Sequence, residues 1–212
     1  MARESTIGSV FMLEDMPASA GAAITDITVG ATTEITVTGT FAINDYVTIA
    51  GTGSSTLDRK TAHRVSATGT GTITIDTDTT GETIAAGGTA TKIVTTEVCF
   101  SEFGVEAATP GEVDVTTMCD LERRNVAGLS SPGSASFSGP LDLTDVGQQK
   151  LLAAHGDGLA RNMIWTTRGG QVGILYGVVT AFAAAPQGVE QAVTFNGAFQ
   201  IQDRPIYLPP VA

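Results

Sequence analysis

The sequence predicts a mainly β fold: a strand-rich host with one short flanking helix and a small all-β domain inserted near its start. Three observations carry this. Residues 22–92 hold 21 threonines in 71 positions, and glycines cut them into short alternating runs with no helical periodicity. Only one stretch, after Thr144, carries helix punctuation. Beyond it, two long runs alternate apolar and polar residues with the period of a strand.

The first host strand reads as Thr6 to Leu13, ended by Glu14-Asp15. Short runs follow at Ile24 to Val29, Glu34 to Thr38, Tyr46 to Ile49, His63 to Ala67 and Thr72 to Asp76, with Gly30, Gly39, Gly51, Gly53, Gly69, Gly71 and Gly81 between them. That spacing predicts a small antiparallel barrel or sandwich over 22–92. Residues 1–21 and 93–212 then form a discontinuous host around the insert; a tandem of two domains is the other arrangement. In the host, 113–117 alternates and gives way to a loop over 118–133, long enough to suggest a functional role. Ser134 to Gly139 alternates again, with Ala135 and Phe137 on one face and serines on the other. Thr144 as N-cap and Gly156 as the C′ residue predict a helix over 145–155, apolar on more than one side. Gln171 to Phe182 places Val172, Ile174, Tyr176, Val178 and Phe182 on one side and Leu175, Gly177 and Val179 on the other. After a Pro186-Gln187-Gly188 turn, Ala192 to Gln202 points Val193, Phe195, Phe199 and Ile201 one way, and Thr194, Asn196, Gln200 and Gln202 the other, without charge. The final Arg204 to Pro210 segment is too proline-rich for a central strand and exposes Ile206, Tyr207 and Leu208 unless it docks.

The formal charge is −11, with −8 on the host and −3 on the insert, which argues against a tight nucleic-acid clamp. The chain start lacks the pattern of a signal peptide and no run is apolar enough to span a membrane, so folding in a cytoplasm is expected. Cys99 and Cys119 read as reduced structural thiols; a disulfide between them is geometrically possible but is not deducible from sequence.

Asp76-x-Asp78-x-Thr80-Gly81 begins like a calcium loop, but Gly87 stands where the bidentate Glu belongs, so a solvated hairpin tip is the simpler reading. Gly51-Thr52-Gly53 lacks the Gly-Lys-Ser/Thr and helix of a phosphate cradle and reads as a turn. His63 and His155 form no metal pattern; His63 is expected on a strand surface and His155 near a helix end. Ser130-Ser131 has no neighbouring base, and Glu97, Glu102, Glu106, Glu112 and Asp114 read as solvated acids rather than a glycosidase pair. Trp165 is expected in the core. No catalytic, cofactor or metal residues follow from this, and no enzyme is expected. Glu122-Arg123-Arg124 in the long loop suits an inter-subunit contact through directional Arg–carboxylate pairs.

Taken together, Glu112-Val-Asp-Val-Thr-Thr-Met-Cys-Asp120, Ser136-Phe-Ser-Gly-Pro-Leu-Asp-Leu, the helix at Gln148-Gln-Lys-Leu-Leu, Tyr176-Gly-Val-Val-Thr-Ala-Phe and Val193-Thr-Phe-Asn-Gly-Ala-Phe resemble the major tail tube proteins of long-tailed, non-contractile bacteriophages. The resemblance covers roughly residues 5–21 and 93–203. It implies a β-sandwich or barrel with a flanking helix, and a virion structural protein. It also implies hexameric rings, stacked into a hollow tube for DNA ejection and assembled in the host bacterial cytoplasm. Implied partners are further copies of the chain, the tape measure, tail terminator and baseplate proteins, and DNA in passage without specific binding. On that reading Thr194, Asn196, Gln200 and Gln202 are expected to face the lumen. Asp120, Glu122, Arg123, Arg124 and Leu129 belong to a ring-stacking loop, and Ile206, Tyr207 and Leu208 to a C-terminal arm. The sheet would comprise strands near 113–117, 134–139, 172–182 and 191–201. Rival readings are another tail ring protein (a terminator or a contractile-tail tube), a carbohydrate- or receptor-binding module using Phe41 and Tyr46 of the insert, and a glycosidase.

Overall fold

The structure is a computed structural model that describes residues 9–15, 20–106, 110–116, 122–130, 132–185 and 193–210. Cys119, Asp120 and the Pro186-Gln187-Gly188 turn lie outside the described residues.

The chain is mainly β. Strand β1 (Val10–Glu14) leads into six short strands: β2 (Ala22–Thr28), β3 (Thr33–Val37), β4 (Tyr46–Ala50), β5 (His63–Thr68), β6 (Thr72–Ile75) and β7 (Thr89–Lys92). These six close into an antiparallel barrel in the order β2-β3-β6-β5-β4-β7, which leaves no open edge. Its interior is aliphatic, around Ile35, Val47, Leu57, Val65 and Ile75, because alternate residues of each threonine-rich strand turn inward.

The host strands are β8 (Thr95–Val98), β9 (Glu102–Glu106), β12 (Ser134–Pro140), β13 (Arg161–Thr166), β14 (Val172–Ala185), β15 (Thr194–Ile201) and β16 (Ile206–Leu208), with β10 (Pro110–Asp114) and β11 (Asn125–Ser130) between β9 and β12. The large sheet runs β8-β1-β13-β14-β15-β12-β9, and β16 joins β14 beside Val172–Ile174. The sheet curls: the Phe103 ring of β9 lies 4.8 Å from that of Phe11 of β1, tilted by 50° to it, although the two strands lie far apart in sheet order. Leu13, Phe137, Met163, Leu175, Phe195 and Phe199 fill the inside, and Leu151 and Ala154 of the helix α1 (Val146–Asp157) plug it.

The barrel covers the outer face of half the sheet. Tyr46, Ala62 and Ile93 pack against Ile164, Val172 and Ile174, with Ile206 and Leu208 at the margin. Residues 161–164 and 172–175 are therefore buried on both faces, while β12 alternates. Inside this seam Asn162 is 1% exposed and works in both directions. Its backbone N and Nδ2 each donate to Glu14 Oε2 at 2.8 Å, and its Oδ1 accepts from Ala62 N at 2.9 Å. Asn162→Ala strips Glu14 of one donor and Ala62 of its acceptor, so it should cost about 2–4 kcal/mol in urea unfolding; a loss below about 0.5 kcal/mol would mean that the seam does not depend on it.

Several expectations need correction. The strand near 113–117 is not part of the large sheet: among the described residues β10 pairs only with β11, and β9 occupies the place beside β12. The loop over 118–133 accordingly contains β11. The helix starts one residue later, with Asp145 as N-cap, its carboxylate accepting from Gly147 N at 2.7 Å; Thr144 instead donates to Asp142. It ends two residues later, because Gly158 (φ 63°), not Gly156, takes the left-handed turn. A bulge between Val179 and Ala181 moves Phe182 to the inner side, where its ring stacks 5.3 Å from Phe195. His63 is not on a surface but is 1% exposed.

Candidate functional site

The half of the sheet that the barrel leaves bare is formed by β9, β12, β15 and the second half of β14. Phe137, Phe195 and Phe199 point into the core, so their neighbours must point out. The cross-strand register then fixes two rows on the outer face: Glu102, Ser138, Asn196 and Ala183, and Glu106, Ser134, Gln200 and Val178. Between them lie Gly104, Ser136 and Ala198. Thr194 and Asn196 share this face with Gln200, as the alternation predicted; Gln202 lies just past the strand end, its N–H donating to Tyr176 O.

This face carries no lysine or arginine among its described residues. Its charges are Glu102 and Glu106, both on edge strand β9. Ser138 Oγ donates to Glu102 at 3.3 Å and Ser134 Oγ to Glu106 at 3.0 Å. Sequence reasoning missed these two as site residues and read them as ordinary solvated acids. The available signal was the alternation Glu102-Phe103-Gly104-Val105-Glu106, which puts both carboxylates on one side.

Both sides of this four-strand array are open among the described residues. β9 pairs only with β12. β13 accompanies β14 only from Val172 to Gly177, so the segment beyond has β15 on one side alone; His155 Nδ1 lies 3.4 Å from Val179 O at the start of that edge. By contrast, β16 is three residues long and bounded by Pro205, Pro209 and Pro210, which blunt it against further pairing. Ile206 and Leu208 turn into the barrel seam, so of the three C-terminal arm residues only Tyr207 is exposed.

The β10–β11 hairpin stands apart from the large sheet. One face is a polar ladder: Arg123 Nε donates to Asp114 at 3.0 Å and Asn125 Nδ2 to Glu112 at 3.1 Å. Hydrogen bonds from the Thr116 hydroxyl and amide, and then from Arg123, hold the Asp114 carboxyl below its usual range. The other face carries Val115, Val126 and Arg124, all exposed. Glu122 is exposed beside them, and Leu129 lies on β11.

The barrel motifs are occupied by their own chain. Asp76 accepts from Arg64 at 2.7 and 2.5 Å, so the half calcium loop commits its first ligand to a buried arginine. The amides of Thr52 and Gly53 donate to Asp58, which places an internal carboxylate where an anion would sit. Among the described residues no three His, Cys, Asp or Glu side chains are grouped to hold a metal. Trp165 is half-buried against Phe103, and Cys99 is half-buried too. No helix is long and apolar enough to cross a membrane among the described residues. Neither the family models nor the curated proteins compared with this chain match it.

Proposed function

We propose that this chain is a structural subunit of a bacteriophage tail: copies join edge to edge into rings, and the rings stack into a hollow tube through which DNA passes. The observation that carries the reading is the bare outer face of β9, β12, β15 and β14. It is dominated by Ser, Thr, Asn, Gln, Ala and Gly beside Glu102, Glu106 and Val178, and among the described residues it is free of basic side chains and open at both lateral edges. An exposed sheet with two open edges invites pairing with a like sheet, and closure into a ring removes the edges. Turned inward, the face would present DNA with neutral dipoles and two carboxylates per copy. Phosphates find no partner there and no counterions are released, so DNA slides without adhering. Glu102 and Glu106 would become two circles of carboxylates around the bore. Six copies per ring, and the tape measure, tail terminator and baseplate proteins as partners, follow from the family resemblance.

Electron microscopy of the concentrated protein tests the assembly: hollow fibres of uniform width are expected, and monodisperse small particles would end the proposal. The bore is tested by charge. Fibres of the wild-type chain should not retain short duplex DNA. Fibres of Glu102→Lys, Glu106→Lys should retain it at low salt and release it steeply as salt rises. Equal retention by both would remove this face from the lumen.

A further inference from the structure

The geometry points to a receptor for the hairpin: an apolar patch of Leu143, Val146 and Val193 on the next copy of this same chain along the axis. This deepens the stacking part of the proposed function and rests on it for the identity of the partner. The hairpin leaves the sheet where Glu106 meets Ser134, at one end of β12. At the other end, about 20 Å away along a seven-residue strand, the chain gathers exposed apolar residues. Leu141 N donates to Val193 O at 2.8 Å, and Gln148 Nε2 to Pro140 O at 2.9 Å, which holds the start of α1 against the end of β12. Leu143, Val146 and Val193 are 60%, 58% and 41% exposed there.

The polar side of the hairpin is satisfied within itself, whereas its other side presents Val115 and Val126 at 43% and 54% exposure, with Arg124 beside them. A two-stranded ribbon with exposed apolar residues is marginal in water and gains from being covered. The patch is bordered by Asp142 and Asp145, opposite in sign to Arg124. Because donor and receptor sit at opposite ends of one sheet, copies stacked in the same orientation leave one donor and one receptor unfilled at the ends of the stack. The contact repeats head to tail, the arrangement that builds a filament.

The test uses full-length chain with Cys99→Ser and Cys119→Ser. Copies carrying Val126→Cys are mixed with copies carrying Val146→Cys and oxidised; the control mixes Val126→Cys with Ile43→Cys, a residue equally exposed on the barrel. A covalent dimer well above the control is expected from the first mixture alone. Dimer at control level, or as much from Val126→Cys by itself, overturns the inference. In parallel, Val146→Asp should raise the concentration at which assembly begins by about ten- to a hundredfold, while Leu152→Asp, exposed farther along α1, should not. The outcomes separate the two ideas: fibres with an unchanged threshold in Val146→Asp sink the receptor and spare the tube, whereas the specific cross-link without hollow fibres keeps the receptor and sinks the tube.

Discussion

Acidification will destabilise the barrel through a single proton on His63, by about 4–5 kcal/mol by the time pH reaches 3. Burial first, and then the charge of Arg59, push this imidazole from 6.5 down to about 3. The hydrogen bonds explain why a proton is unwelcome. His63 Nε2 lies 2.9 Å from Leu57 O, an acceptor, so Nε2 carries the hydrogen. Nδ1 must then accept, and Arg59 and Thr77 approach it at 3.1 and 2.7 Å. Protonating Nδ1 would set its hydrogen against the Arg59 guanidinium, a donor and a cation, and would force the Thr77 hydroxyl to turn from donor to acceptor. The unfolded chain binds this proton below about pH 6.5 and the folded chain only near pH 3. Stability is therefore whole above pH 6.5 and is lost as pH falls through that window, with a slope approaching 1.4 kcal/mol per pH unit. Asp58 adds loss of the same sign only at lower pH. Partial burial raises its pKa, but the bonds from Thr52, Gly53 and Gly51 outweigh this and hold it below 3.8. Urea unfolding from pH 7 to pH 5 thus isolates the histidine. His63→Gln should flatten the curve there, even if it lowers stability at pH 7. Parallel slopes in the two proteins would show that His63 takes up no proton on unfolding in this range.

His63 also shows where sequence reading stops. Its strand was legible, since His63 to Ala67 lies wholly within β5. Its direction was not, because the loop that buries it, with Leu57 and Arg59, is brought there by tertiary folding alone. Arg64 and Asp76 give the same lesson: twelve residues apart, they meet only because β5 pairs with β6. The outer face of β15 was legible because it is bare. One buried face and one open face leave a clean period of two, and Thr194, Asn196 and Gln200 follow from it. The half of the sheet under the barrel has no such period, and there the reading loses its grip. Neighbours were harder still. β9 and the 113–117 run both alternate, and nothing local decides which lies beside β12; the choice rests on Phe103 reaching Phe11 and Trp165 across the curled sheet. At Phe182, one bulge residue inverted the side that simple alternation assigns.

That curl has a second point of control, and it yields the largest mutational effect expected from a single methyl group. Gly177→Ala should cost about 3–5 kcal/mol, a large part of the stability of an ordinary domain. Gly177 is where β14 changes partners: it faces Arg161 at the last step shared with β13 and Ile201 at the first step shared with β15. A β-carbon there would lie 2.0 Å from the backbone oxygen of Gln200 and 2.8 Å from the Phe199 ring. Neither can yield cheaply, since the oxygen belongs to the sheet and Phe199 is fully buried in the core. Relief requires β15 to move away from β14, which opens the core and rotates the bare face against the barrel-covered half. Gly156→Ala is the matched control. Gly156 is exposed within α1, a β-carbon there meets nothing within 4 Å, and alanine should stabilise by about 0.5–1 kcal/mol through helix propensity. Opposite shifts of the urea midpoint are expected from the same chemical change. If Gly177→Ala instead unfolds within about 0.5 kcal/mol of the wild type, β15 has room to retreat, and the curl that sets the open edges apart is held by the aromatic core rather than by this close approach of backbone to backbone.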